Sequence, residues 1–176
     1  SSATISEPTE IIVQQTNTNV LCFGDTSGNT ILNISGGDGN YIFNAFGQPF
    51  YLLGNSIINS SQFSPTGIPA GSYPFSITDG QGCIKHDTII ITQPNFISTI
   101  STVNNISCHG LTDGNVSLNI SGGIPPFTVD WQGNNPNFLA QGTYLFNVTD
   151  DNGCQFSDSV TIIEPDSLTY LTTANN

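Results

Sequence analysis

Gly71-Ser72-Tyr73-Pro74-Phe75-Ser76-Ile77-Thr78-Asp79-Gly80-Gln81-Gly82-Cys83 returns later in the chain as Gly142-Thr143-Tyr144-Leu145-Phe146-Asn147-Val148-Thr149-Asp150-Asp151-Asn152-Gly153-Cys154. Each copy enters through Gly-x-Tyr, runs through a short alternating apolar stretch to Thr-Asp, and leaves at Gly-Cys. Alternation at period two marks a strand with one buried face, and the Asp/Asn/Gly cluster after it is hairpin-turn chemistry. The unit is strand, turn and cysteine, and the rest of the chain falls into register around it.

The offsets between copies place the domains. Tyr73/Tyr144, Cys83/Cys154 and Pro94/Pro165 are each 71 residues apart, whereas Pro8/Pro94, Cys22/Cys108 and Gly36/Gly122 are each 86 apart. The first copy therefore carries a 15-residue insertion, expected between Gln48 and Ala70. Such self-similarity points to an array of modules. The expected modules are residues 9–94, with the insertion within 48–70, and residues 95–165, with 166–176 opening a truncated third. Ile5-Ser6-Glu7-Pro8 resembles Ile163-Glu164-Pro165, and there is no Met, so the chain reads as a cut from a longer array. The joints are short and carry Pro without a Gly/Ser tract, which predicts stiff connections.

Strand patterns fill each module. Ile11 to Val20 reads as an opening strand. Asn29-Thr30-Ile31-Leu32-Asn33-Ile34-Ser35 and Asn115-Val116-Ser117-Leu118-Asn119-Ile120-Ser121 each stop at a glycine pair, with the aliphatic residues expected on one face and Asn/Ser/Thr on the other. Tyr41-Ile42-Phe43 and Phe127-Thr128-Val129-Asp130-Trp131 follow, and Thr88–Thr92 and Ser159–Ile163 close the modules. No window has helical periodicity. Short strands punctuated by Gly, Asn and Pro predict an all-β chain: two tandem immunoglobulin-like antiparallel β-sandwich modules in an end-to-end array. Tyr73 and Tyr144 are expected to anchor a loop.

Composition limits the partners. Thirteen Asp+Glu stand against the single basic residue Lys85, for a net charge of −12. This excludes nucleic acid and anionic membrane surfaces as partners, because both need clustered Lys/Arg. No apolar run is long enough for a transmembrane helix, so no direct membrane insertion is expected.

Four cysteines, two per module at matching positions, lack zinc-type spacing and predict disulfides in an oxidising, extracellular location. Of three connectivities, repeat symmetry favours Cys22–Cys83 and Cys108–Cys154. Each bridge is worth about 4 kcal/mol by loop entropy. Reduced, buried thiols are the competing reading.

Cys22-x-Gly24 and Cys108-x-Gly110, then Gly-Asn and a strand, Gly-Gly, an aromatic strand, Gly-x-Tyr, Val/Ile-Thr-Asp, Gly-Cys and a closing Pro resemble the SprB-type repeat. That repeat builds very large cell-surface adhesins of gliding Bacteroidota, exported by the type IX secretion system. The resemblance implies a surface-displayed segment whose partners are neighbouring repeats of the same chain and a surface polysaccharide or substratum. It also implies O-glycosylation at Asp-Ser/Thr-apolar acceptors, which match at Thr88, Ser159 and Ser167. An ordinary strand start is the plainer reading of the first two.

Other sites weigh less. Neither His86 nor His109 recurs between modules, and no nucleophile–base context surrounds them, so an enzyme is not expected. Asp79, Asp150 and Asp151 are candidate ligands for a structural Ca²⁺, the one cofactor considered, and turn formation is the alternative. The insertion holds an apolar aromatic segment including Phe50, Tyr51 and Leu52, read either as an adhesive loop or as cover for a sheet edge. Trp131 is read as core in preference to a sugar-stacking platform. The resulting expectation is a structural stalk segment of a large adhesin. The alternatives are modules that themselves bind carbohydrate, or a calcium-rigidified rod.

Overall fold

The structure, a computed structural model, describes residues 9–45, 56–58 and 61–172. The chain divides at Pro94 into two compact units, and the described elements are strands and turns throughout.

In the first unit, β1 (Ile12–Thr18) pairs antiparallel with β2 (Gly28–Ser35), whose other edge receives β5 (Gln62–Phe63) and β6 (Thr66–Ile68). A second sheet runs in the order β4 (Ser56–Ile58), β3 (Tyr41–Ala45), β7 (Gly71–Thr78), β8 (Ile84–Ile91). Leu32 and Ile34 from one sheet and Phe43, Phe75, Ile77, Ile89 and Ile91 from the other form a single buried cluster. The Phe43 and Phe63 rings meet across the sheets at 4.8 Å. Burying each such side chain stabilises by about 1.5–3 kcal/mol, which is why the alternation of β2 and β7 sets the register.

The face of β2 departs from the simple sorting of aliphatic in, polar out. Leu32 and Ile34 point inward, so period two turns Ile31 outward and buries Thr30 completely. The Thr30 hydroxyl satisfies itself by donating to Asn17 Oδ1 at 2.6 Å.

The second unit repeats the plan with fewer strands. β9 (Ser98–Asn104) pairs with β10 (Asn115–Ser121), and β11 (Thr128–Asp130), β12 (Gly142–Thr149) and β13 (Gln155–Ile162) form the facing sheet. Val116, Leu139, Phe146, Val148, Val160 and Ile162 make its core. Trp131 is half-buried against Phe146, with ring centroids 5.0 Å apart, so it is packed on the core.

The insertion is accounted for by pairing. Gly28 pairs with Ile68 as Gly114 does with Leu139, so the units rejoin at that bridge. Between β3 and β6 the first unit adds β4 on the edge of β3 and β5 on the edge of β2. Phe50, Tyr51 and Leu52 lie outside the described residues.

Candidate functional site

The features that recur in both units lie at the two ends of each sandwich, and each end carries a cysteine. At the leading end, where the chain enters the sheet, β7 runs into the turn Asp79–Cys83 and β12 into Asp150–Cys154. Asp79 is buried, and its Oδ1 accepts from the amides of Gln81 and Cys83 at 3.0 and 2.8 Å. Asp150 is buried as well; its Oδ1 accepts from the Cys154 amide at 2.9 Å and its Oδ2 from the Ile124 amide at 2.9 Å. In both turns the aspartate amide also donates to the cysteine carbonyl at 3.0 Å. The carboxylate thus pins the cysteine backbone, as short polar side chains do in turns.

Asp38 replaces Ile124 in the first unit. Its Oδ1 accepts from the Asn40 and Gly80 amides at 3.0 Å. These backbone hydrogen bonds, Asn40 foremost, hold its carboxyl below the usual carboxylate range. Asp79 Oδ2, by contrast, has no hydrogen-bond partner.

At the trailing end the chain leaves the last strand. Val20 donates its amide to Thr92 O at 3.1 Å, Asn19 Oδ1 accepts from the Thr92 amide at 2.9 Å, and Gln93 Oε1 accepts from the Gly24 amide at 2.9 Å. The second unit repeats every contact: Ile106 to Ile163 O at 3.2 Å, the Ile163 amide to Asn105 Oδ1 at 3.0 Å, and the Gly110 amide to Glu164 Oε2 at 3.0 Å. Cys22 and Cys108 sit inside these loops, each carbonyl accepting from the residue three further on, at 3.1 and 3.2 Å. Beside Cys108, Asp113 is held below the usual carboxylate range by the Ser107 hydroxyl first and the Ser107 amide second. A groove of about 480 Å³ there is lined by Ser107, Cys108, His109, Pro165, Asp166 and Ser167, with Leu168. His109 Nδ1 stands 3.3 Å from Glu164 Oε1.

This placement corrects the expected disulfides. Cys22 and Cys154 are disulfide-bonded, whereas Cys83 and Cys108 are exposed free thiols. Cys22–Cys83 and Cys108–Cys154 therefore do not form. The reason is geometric: β8 and β13 carry the chain from one end of a unit to the other. From Cys83 to Thr92, beside Cys22, the extended path is roughly 30 Å, while bridged cysteines have Cα atoms within about 7 Å.

The remaining sites are scattered. Among the described residues no group of three or more His, Cys, Asp or Glu converges as a metal would require. Asp79 and Asp150 point at backbone amides, and Asp151 is exposed, its own amide donating to Ile124 O at 2.9 Å. Ser159 and Ser167 are exposed and Thr88 is half-buried. In both strand positions the preceding aspartate accepts from the acceptor's own amide at 2.7 Å, Asp87 with Thr88 and Asp158 with Ser159. The tyrosines do anchor loops: Tyr73 donates to Pro69 O at 2.8 Å and Tyr144 to Ala140 O at 3.0 Å. Sequence reasoning missed Asn19/Asn105 and Gln93/Glu164, although their recurrence at the 86- and 71-residue offsets was a usable signal.

Among the described residues no helix is long and apolar enough to cross a membrane. No curated protein matches the chain at a significant level. Residues 100–136, 37 of the 176, match the family model of the SprB repeat. The match runs from the middle of β9 through the Cys108 loop and β10 to the turn after β11, so the chain is similar to that repeat over the half of the second unit that holds Cys108-x-Gly110, Gly114-Asn115 and Gly122-Gly123.

Proposed function

We propose that the chain is a non-catalytic repeat segment of a large extracellular, cell-surface adhesin, serving as stalk. One observation carries this reading: the hydrogen-bonded apparatus that recurs in both units sits at the ends where repeats join in sequence. The network around Asn19, Thr92 and Gln93 reappears around Asn105, Ile163 and Glu164, and the Asp79 turn reappears at Asp150. Position-specific side chains have gone to holding the ends in shape. The similarity of residues 100–136 to the SprB repeat supports surface display. The acidic surface supports solubility and repulsion between neighbouring arrays.

The test has two arms. Single-molecule pulling in reductant is expected to give two separate unfolding events, one per unit. Surface-bound polysaccharides presented to the chain are expected to show no saturable binding. Saturable binding that disappears when residues 48–67 are deleted would overturn the stalk reading and make the insertion an adhesive element. A melting temperature that falls on chelation would make the array a calcium-stiffened rod.

A further inference from the structure

The two free thiols occupy positions at which the sister unit is oxidised. Cys108 is the repeat equivalent of Cys22, and Cys83 that of Cys154; Cys22 and Cys154 are disulfide-bonded. One leading-end cysteine and one trailing-end cysteine are therefore bonded, and one of each kind is free. The free ones already hold the backbone setting of the bonded ones. The Cys83 amide donates to Asp79 Oδ1 at 2.8 Å, as that of Cys154 does to Asp150 Oδ1 at 2.9 Å. The Cys108 carbonyl accepts from the Leu111 amide at 3.2 Å, as that of Cys22 does from Asp25 at 3.1 Å. Closure within one unit is excluded by the roughly 30 Å between its two ends. What each free thiol lacks is a cysteine of the complementary kind on another repeat.

We propose that Cys83 and Cys108 are the two halves of a head-to-tail staple, in which the trailing-end cysteine of one repeat forms a disulfide with the leading-end cysteine of the repeat that follows. Cys83 takes a trailing-end cysteine and Cys108 a leading-end one. The groove beside Cys108, with Ser107, His109, Pro165 and Asp166 in its lining, is the seat for the Asp-x-x-Gly-Cys turn of the partner repeat. The proposal rests on the reading of the chain as part of an array, and it names the partner and the bond. The oxidant is a disulfide of the glutathione class. One cysteine thiolate attacks it and releases glutathione thiolate; the second cysteine thiolate then displaces the remaining glutathione. Two thiols lose two electrons and two protons, and one oxidised glutathione becomes two reduced ones.

A second copy of the chain stands in for the neighbouring repeat in the test. The purified chain, concentrated in a glutathione redox buffer, is analysed on non-reducing gels with mass-spectrometric mapping of linked peptides. The expected product is a ladder of oligomers joined by Cys83–Cys108, in excess over the one-half share that random pairing of two thiols would give. Cys83→Ser and Cys108→Ser are each expected to stay monomeric alone and to give one covalent dimer when mixed. Dimers in either variant alone that equal those of the mixture would overturn the head-to-tail polarity. Conversion of both thiols to glutathione adducts without cross-links would overturn the staple. Because polysaccharide binding is read separately, failure of the stalk function and failure of the staple are distinguishable.

Discussion

Asp150 Oδ2 accepts the amide hydrogen of Ile124 at 2.9 Å, closing the leading end of the second unit, while the equivalent oxygen of Asp79 is buried without a partner. Both oxygens of the carboxylate thus accept in the second unit, whereas in the first a single oxygen takes the Gln81 and Cys83 amides and the other is spare.

Asparagine substitution separates the two. In Asp79→Asn the amide oxygen keeps the Gln81 and Cys83 amides, and the NH₂ falls where no donor points. In Asp150→Asn the NH₂ must face either the Ile124 or the Cys154 amide. Asp150→Asn is expected to cost about 1–2 kcal/mol more than Asp79→Asn, the scale of a buried, charge-assisted hydrogen bond lost. Urea denaturation of both variants measures it, and equal costs would count against the assignment.

Gly122 has φ +74°, and a Cβ there would collide with the carbonyl oxygen of Phe96. Gly153 has φ +82° with open space around it. Gly122→Ala is expected to destabilise the second unit by about 3 kcal/mol or more, from left-handed strain plus the collision, and Gly153→Ala by about 1 kcal/mol from strain alone. Thermal unfolding distinguishes them.

Phe63 belongs to the insertion and packs on Phe43. Phe63→Ala is expected to lower the stability of the first unit by about 2 kcal/mol, less than a fully buried ring because Phe63 is half-buried. A neutral result in denaturant titration would show the insertion to be a passenger.

Asp113, fully exposed, has its carboxyl depressed by Ser107. A depressed carboxylate contributes stability that is present above its unfolded value, about 3.9, and is lost as pH falls through the folded value. Amide exchange at Ser107 is expected to speed up below about pH 4 in the parent chain. In Asp113→Asn the same amide should show no such acid dependence.

Tyr73 is buried and its phenol is pushed above the usual range by desolvation. Its contribution is complete below about pH 10 and is lost as pH rises through the folded value. Tyr73→Phe, which leaves Pro69 O without its donor, is expected to cost about 1 kcal/mol at neutral pH and to flatten the alkaline limb of the stability profile.

Most of the strand plan was legible because burial enforces alternation: Leu32, Ile34, Phe75 and Ile77 lie where period two puts them. Thr30 and Ile31 were sorted wrongly because polarity was read ahead of period, and the hydrogen bond to Asn17 that makes a buried threonine tolerable is invisible in a linear sequence. The cysteines were misassigned because repeat symmetry gives equivalence between units but is silent on which end of a sandwich a residue occupies. Once β8 and β13 are known to be continuous strands, the intra-unit bridges fail on length alone. Asp79 and Asp150 share the chemistry of metal ligands and of turn formation, and their turn role rests on the positions of the Cys83, Cys154 and Ile124 amides, which a linear sequence does not reveal.

In the interval between Ala45 and Ile68 the described strands β4 and β5 lie on the flanks of the two sheets, with Phe63 packed on the core. The pairings bounding the interval, β3 with β7 and Gly28 with Ile68, have counterparts in the shorter unit. That makes the interval a grafting slot. A foreign peptide placed there would be displayed from the side of the sandwich, leaving both cysteine-bearing ends, and hence the addition of further units, untouched. In the array proposed above, one unit can diversify without altering how its neighbours are joined.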